Sequence, residues 1–309
     1  MPVWTAADLP DQKGRTILVT GANSGLGLRS AQALAAKGAR VLMACRDAGR
    51  AAAARDEVAR SASGPDPEVV ALDLASLASV RAAAAEVAAR VDRLDVLMNN
   101  AGIMAVPRGE TEDGFERQIG TNHLGHFALT GLLLPVLLAA GVPRVVTVSS
   151  HAHRLGRVDV DDLSFQRRLY SRWRAYGQSK LANLLFSAEL QRRAADAGTD
   201  LLSVAAHPGY AATNLTSGPA TGARPLAPIF RLGDRLVGQP DHMGALPQLY
   251  VATMPDVVPD DYWGPDGMGE RRGHPKRVGR TTFAGDEATA RRLWERSEEL
   301  TGVLYPWPR

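Results

Sequence analysis

Thiols and lysines are scarce in this chain: its 309 residues include one cysteine, Cys45, and only four lysines. A single thiol excludes an intrachain disulfide and any cluster of thiolates on a metal, and it fits a reducing compartment such as the cytoplasm. Long hydrophobic runs are also missing. The most apolar stretch, FALTGLLLPVLLAAGV from Phe127, is broken by Pro135 and bounded by Gly141, so it reads as a buried helix and not as a membrane span. The opening residues MPVWTAADLPDQKG lack the basic start and apolar centre of a signal peptide, so neither export nor a membrane anchor is expected. Charge of one sign is not concentrated anywhere. The net charge is +3 and the arginines are scattered, which argues against nucleic acid as a partner. His123 and His126 stand three apart, and His151 and His153 share a loop, but no third ligand accompanies either pair, so no metal site is expected.

What is present is a rhythm. Short β-branched runs (RTILVT from Arg15, ARVLMA from Ala39, EVVAL from Glu68, LDVLM from Leu94, RVVTVS from Arg144, DLLSVAA from Asp200) alternate with alanine-rich helical segments. The helices are expected over Gly25 to Lys37, Ala48 to Ser61, Ser76 to Val91, Gly114 to Ala140 and Ala175 to Ala197. This is a βαβ pattern with right-handed crossovers, hence an α/β, single-domain Rossmann fold: a doubly wound parallel sheet of about seven strands with helices on both faces. Within the one domain, residues 13–206 form the nucleotide-binding core. Residues 207–285 hold a substrate loop and the C-terminal strand region, where DYWGPDGMGERRGHP from Asp261 reads as a last strand followed by turns. Residues 286–302 form a closing helix. The Gly, Pro and Arg-rich segment Tyr210 to Asp241 is too long for an ordinary connection.

The motifs fall just after strands, at the sheet edge where such folds bind ligands. TGANSGLG follows the first strand and opens the first long helix. Its Gly21, Asn23, Ser24, Gly25, Leu26 and Gly27 would bring backbone N–H groups and a helix N-terminus to a phosphate, although Ser24 capping the helix is the plainer alternative. The second strand ends ACRD. An acidic residue there would hold the ribose hydroxyls of NAD(H), whereas Cys45 followed by Arg46 favours the 2′-phosphate of NADP(H), with NAD(H) as the alternative. Asp73 and Leu74 end the third strand where adenine would lie. Asn100, Ala101 and Gly102 of NNAG follow the fourth and leave room for a flat ring or ribose. After the fifth comes SSH, without the G-x-S-x-G elbow of a hydrolase.

In AYGQSKLAN, Tyr176 and Lys180 share one face of a helix. An ammonium ~5 Å from a phenol at an effective dielectric of ~20 contributes roughly 3 kcal/mol, or about 2 pKa units, which would bring Tyr176 well below a free phenol and make it a usable acid or base.

Taken together, TGANSGLG, Asp73, NNAG, TNHLGHF, Ser150, YGQSK and HPG resemble the short-chain dehydrogenase/reductase family over about Lys13 to Thr213. The wording ACRD, NNAGIM, TNHLGHF, SKLANLLFS and HPGYAATNL is similar to the retinol dehydrogenase-like branch, which also includes the WW-domain oxidoreductase and relatives of protochlorophyllide reductase. The resemblance implies that Tyr176 is the general acid/base, that Lys180 lowers its pKa and holds the ribose, and that Ser150 hydrogen-bonds the substrate oxygen. It also implies that Asn122 holds a water linked to Lys180, and that Pro208, Gly209 and Thr213 line the nicotinamide. The expected activity is NADP(H)-dependent hydride transfer to or from a carbonyl or alcohol carbon of an apolar small molecule. A C=C double-bond reductase and a non-catalytic NADP(H)-sensing protein are the alternatives. Leu181, Leu184, Leu185 and Phe186 give the helix from Ala175 more apolar surface than one core-facing stripe needs, so a homodimer through helices 114–140 and 175–197 is expected.

Overall fold

In the computed structural model, residues 3–210 and 239–308 are described. Strands β1 (Thr16–Thr20), β2 (Arg40–Cys45), β3 (Glu68–Ala71), β4 (Val96–Asn99), β5 (Arg144–Val148), β6 (Leu202–Ala206) and β7 (Tyr262–Pro265) are the apolar runs of the sequence, and they pair in parallel. An eighth strand, β8 (Pro275–Arg277), pairs antiparallel with β7. The sequence suggests only turns there, because three residues, two of them exposed, carry no period that local reading can detect. The sheet order β3-β2-β1-β4-β5-β6-β7-β8 reverses direction between β1 and β4, which opens a crevice beyond their carboxyl ends.

Helices α1 (Gly25–Ala36), α2 (Ala48–Ala59), α3 (Leu77–Arg90), α4 (Arg117–Ile119), α5 (Gly125–Leu138) and α6 (Arg172–Asp196) follow their strands in turn, with a π turn (Gly120–Leu124) between α4 and α5. Further on come α7 (Asp241–Gly244), α8 (Leu246–Thr253) and α9 (Glu287–Thr301). Because successive strand residues face opposite ways, Ile17 and Val19 pack with α1, α2 and α8, while Leu18 packs with α3, α5 and α6. The apolar stretch from Phe127 is the buried α5, as its Pro135 and bounding glycine suggested.

The surplus apolar face of α6 is covered within the chain. Leu181, Leu184 and Leu185 pack with Ala290 and Leu293 of α9. Phe186 stacks on Trp294 at 5.9 Å, and Phe127 of α5 meets Trp294 and Tyr305 at 5.0 Å each. A second subunit is therefore not what buries these side chains.

Candidate active site at the carboxyl edge of the sheet

The turn from β1 into α1 is built for close approach. Gly21 has φ +67°, a left-handed conformation that favours glycine, and a Cβ on Gly27 would lie 2.3 Å from the Gly21 carbonyl oxygen. Ser24 takes the N-cap position with extended backbone, yet its hydroxyl makes no capping bond. The capping alternative thus fails, and among the described residues no side chain accepts from the first N–H groups of α1. A dinucleotide pyrophosphate fits that cradle. Asn23, Gly25 and Leu26 complete the same turn.

At the end of β2 the charges are sorted. Asp47 caps α2 by accepting from Arg50 N–H at 2.9 Å and pairs with the Arg50 guanidinium at 3.0 Å, so its carboxylate is engaged by α2. Arg46 is exposed and reaches Asp73 at 3.7 Å across the mouth of the crevice. Asp73 otherwise accepts from Ala75 N–H at 2.9 Å, which orders the turn that holds Leu74. Cys45 is buried, and burial pushes its thiol up to about 11.

A residue the sequence reading passed over ties the crevice floor together. Thr20, at the end of β1, accepts N–H bonds from Asn100 and Ala101 at 2.9 Å each, and its hydroxyl lies 3.0 Å from His126 Nε2. His126 Nδ1 lies 3.0 Å from the Asn122 carbonyl, which can only accept, so the proton sits on Nδ1, and the single Thr20 hydroxyl proton has two acceptors, bare Nε2 and the Met98 carbonyl at 3.2 Å. The ring is neutral, since burial pushes it down to about 4. Burial does the same to His123, whose Nε2 meets the Ser297 hydroxyl at 2.9 Å. Asn100 is further held by Gln248 at 3.1 Å, a side chain on α8 that also donates to Ser30 at 2.7 Å. Thr20 and Gln248 were detectable in principle only as polar residues inside otherwise apolar elements.

The expected catalytic side chains meet at the other end. Asn122 sits in the π turn, where its amide clamps Ile103 by accepting its N–H at 2.8 Å and donating to its carbonyl at 2.9 Å. It also donates to Ser179 at 2.9 Å, tying the turn to α6. A Cβ on Gly102 would stand 3.1 Å from Asn122 Oδ1 and 3.5 Å from Lys180 Nζ, so a side chain here would press on the Asn122 amide, and glycine keeps the corner open. Ser150 caps the turn after β5 by accepting from Ala152 N–H at 3.2 Å. The loop 151–171 beyond it is anchored by Asp162, which accepts from Gln166 N–H at 2.7 Å, and by Arg168, which donates to Gln178 of α6 at 3.0 Å.

The electrostatics of Tyr176 and Lys180 differ from the expectation. Both are buried, and burial pushes the Tyr176 phenol up to about 12, with hydrogen bonding to Ser150 acting in the opposite direction. Burial also pushes Lys180 down to about 8. Lys180 Nζ lies 5.9 Å from the centre of the Tyr176 ring and donates to the Val148 carbonyl at 3.0 Å. Helical spacing puts the two groups on one face, but burial of each works against its charged form, so the phenol is pushed up and not down as the pairing alone would have it. Pro208 and Gly209 follow β6 at the same edge, while Thr213 lies outside the described residues.

Comparison with known proteins identifies the family. The short chain dehydrogenase family model matches residues 15–221. Human retinol dehydrogenase 13 is 41% identical over 300 residues, covering 95% of this chain and 86% of its own. An uncharacterized protein from Mycobacterium Paratuberculosis, solved by crystallography, is 48% identical with a TM-score of 0.81, covering 99% of this chain and 100% of that one. An NAD(P) dependent gluconate 5-dehydrogenase from Beutenbergia cavernae, solved with bound NADP, is 27% identical with a TM-score of 0.61, covering 79% and 92%. The chain therefore belongs to the short-chain dehydrogenase/reductase family, in its retinol dehydrogenase-like branch, and is an oxidoreductase of the nicotinamide-dependent kind.

Proposed function

We infer that the chain interconverts an apolar alcohol and its aldehyde or ketone with NADP(H) as preferred cofactor. The observation that carries this is the gathering of Tyr176, Lys180 and Asn122 around the open corner at Gly102. The nicotinamide, when bound, supplies or takes up the hydride. The chain's own residues do the rest. Ser150 and Tyr176 hydrogen-bond the substrate oxygen, and Tyr176 passes a proton at its hydroxyl. Lys180 offers an ammonium to the ribose hydroxyls, and the negative groups of a bound dinucleotide would restore the charge that burial opposes. Asn122 holds the π turn against Ile103 and Ser179, which fixes the distance between the crevice floor and α6.

Preference for NADP(H) is supported by the diversion of Asp47 to α2 and by the exposed Arg46 guanidinium beside Asp73. An apolar substrate is supported by exposed Leu155, Leu169, Trp173 and Met268, which lie on segments adjoining the site, and by the name of the retinol dehydrogenase relative. A panel of apolar aldehydes and alcohols, followed by NADPH absorbance, tests the reading. Turnover is expected with NADPH, and Arg46→Ala should weaken NADPH about tenfold while leaving NADH unchanged, as for loss of one exposed charge-assisted contact. Equal dissociation constants for NADPH and NADH in the unmodified chain would contradict the cofactor assignment.

A further inference from the structure

Next to the catalytic end stands a group of charged and polar side chains that the mechanism above does not use. His207, the residue before Pro208, is buried, and its Nδ1 accepts the Gly209 N–H at 3.2 Å. An imidazole nitrogen that accepts carries no proton, so the neutral ring must carry its proton on Nε2. That nitrogen faces Glu270 Oε2 at 3.2 Å, close enough for the carboxylate to favour an N–H on it although the two are not aligned as a hydrogen bond. A carboxylate only accepts, which favours the same tautomer. The space is shaped for the ring: a Cβ on Gly264 would stand 2.0 Å from His207 Nε2. Glu270 is brought there by backbone with φ +57°, a conformation uncommon for a non-glycine residue and one that persists only where its surroundings enforce it. His151 at 3.9 Å and Arg154 at 3.6 Å flank the same carboxylate.

The turn itself is braced from the same segment. Tyr210 N–H donates to the Arg271 carbonyl at 2.8 Å, and Gln239 donates to the Pro208 carbonyl at 2.6 Å while accepting from Gly273 N–H at 3.0 Å. Every described polar bond that holds Pro208 and Gly209 thus leads to His207 or to residues 239 and 271–273.

We propose that Glu270, acting through His207, is a positioning residue: it fixes the imidazole tautomer that holds the Pro208–Gly209 turn and so sets the wall against which the nicotinamide lies. The proposal rests on the reading that this turn faces the nicotinamide, and it goes further by naming what sets the turn. Glu270 touches no reacting atom. Its removal should therefore disturb the nicotinamide half of the cofactor and spare the adenosine half.

The test compares binding of NADPH and of 2′,5′-ADP, which lacks nicotinamide, to the unmodified chain, Glu270→Leu and Glu270→Gln. Glu270→Leu should weaken NADPH and slow hydride transfer, each by about tenfold, as misplacement of a reacting ring does. The affinity for 2′,5′-ADP should not change. Glu270→Gln, whose amide oxygen can face Nε2 from the same place, should recover most of the loss. An independent readout needs no variant: nitrogen NMR of the unmodified chain should show His207 protonated on Nε2 and bare on Nδ1. Equal weakening of both ligands, unchanged NADPH affinity in Glu270→Leu, or a proton on Nδ1 would overturn the proposal. If the unmodified chain binds NADPH and turns over while Glu270→Leu matches it, the positioning role alone falls. If the unmodified chain binds no nicotinamide nucleotide, the functional reading falls and takes this proposal with it.

Discussion

Lys180 shows how far one residue can be tuned against stability. Its ammonium is buried, and its folded value of about 8 lies below the unfolded 10.5, so the folded chain holds this proton less tightly than the unfolded one. The cost of burying the charge is complete below pH 8, shrinks between the two values and vanishes above the higher one. At neutral pH it amounts to roughly 3 kcal/mol. The Val148 carbonyl would keep a partner without it, since Asn183 also donates there at 3.1 Å. Lys180→Met should therefore raise the melting temperature of the cofactor-free chain at pH 7 by roughly 3–8 °C while abolishing turnover, and the gain should fade as pH approaches 10.5. A calorimetric series over pH checks this, and a lower melting temperature for the variant at pH 7 would contradict it. At this scale the sequence revealed which residues meet but not their charge states. Spacing along a helix places Tyr176 over Lys180, whereas desolvation depends on everything packed around them.

At the scale of elements, α9 is the piece that closes the molecule. Its Trp294 stacks between α5 and α6 and meets Tyr305 at 4.4 Å, while the Arg193 guanidinium lies 4.6 Å from its ring. A Cβ on Gly131 of α5 would stand 2.7 Å from the Tyr305 ring, so the tail beyond α9 seats directly on that helix. Trp294→Ala should cost about 3–5 kcal/mol in chemical denaturation, the range for emptying a large aromatic site. NADPH affinity should survive, because the crevice lies at the carboxyl edge of the sheet and not behind α6. A cost below 1 kcal/mol would mean that α9 packs only loosely. Strands β1 to β6 and helices α1 to α3 were legible because each carries its own period. The covering of α6 by α9 was not, since a surplus apolar face reads the same whether a second subunit or the chain's own last helix buries it. The three residues of β8 were hidden for a related reason: only their neighbour in the sheet makes them a strand.

At the scale of the whole molecule, the fold works by bringing to one edge groups that are far apart in the chain. Thr20 ends β1, Asn100 follows β4, Asn122 lies in the π turn and Tyr176 is on α6, yet a run of bonds connects the first three, and Ser179 joins the last. The glycine motif, NNAG and the Tyr–Lys pair were recognisable because each occupies consecutive positions. The links among them, through Thr20, His126 and Gln248, were not, because they exist only once β1, α5 and α8 have packed. The proton transfer proposed for this edge depends on the hydroxyl of Tyr176. The most direct measurement is turnover and NADPH affinity of Tyr176→Phe beside the unmodified chain, with an aldehyde identified by the panel. Turnover should drop by about 10²–10⁴, the usual contribution of a positioned acid or base, with the NADPH dissociation constant unchanged within about twofold. Retention of most activity by Tyr176→Phe would contradict the assignment.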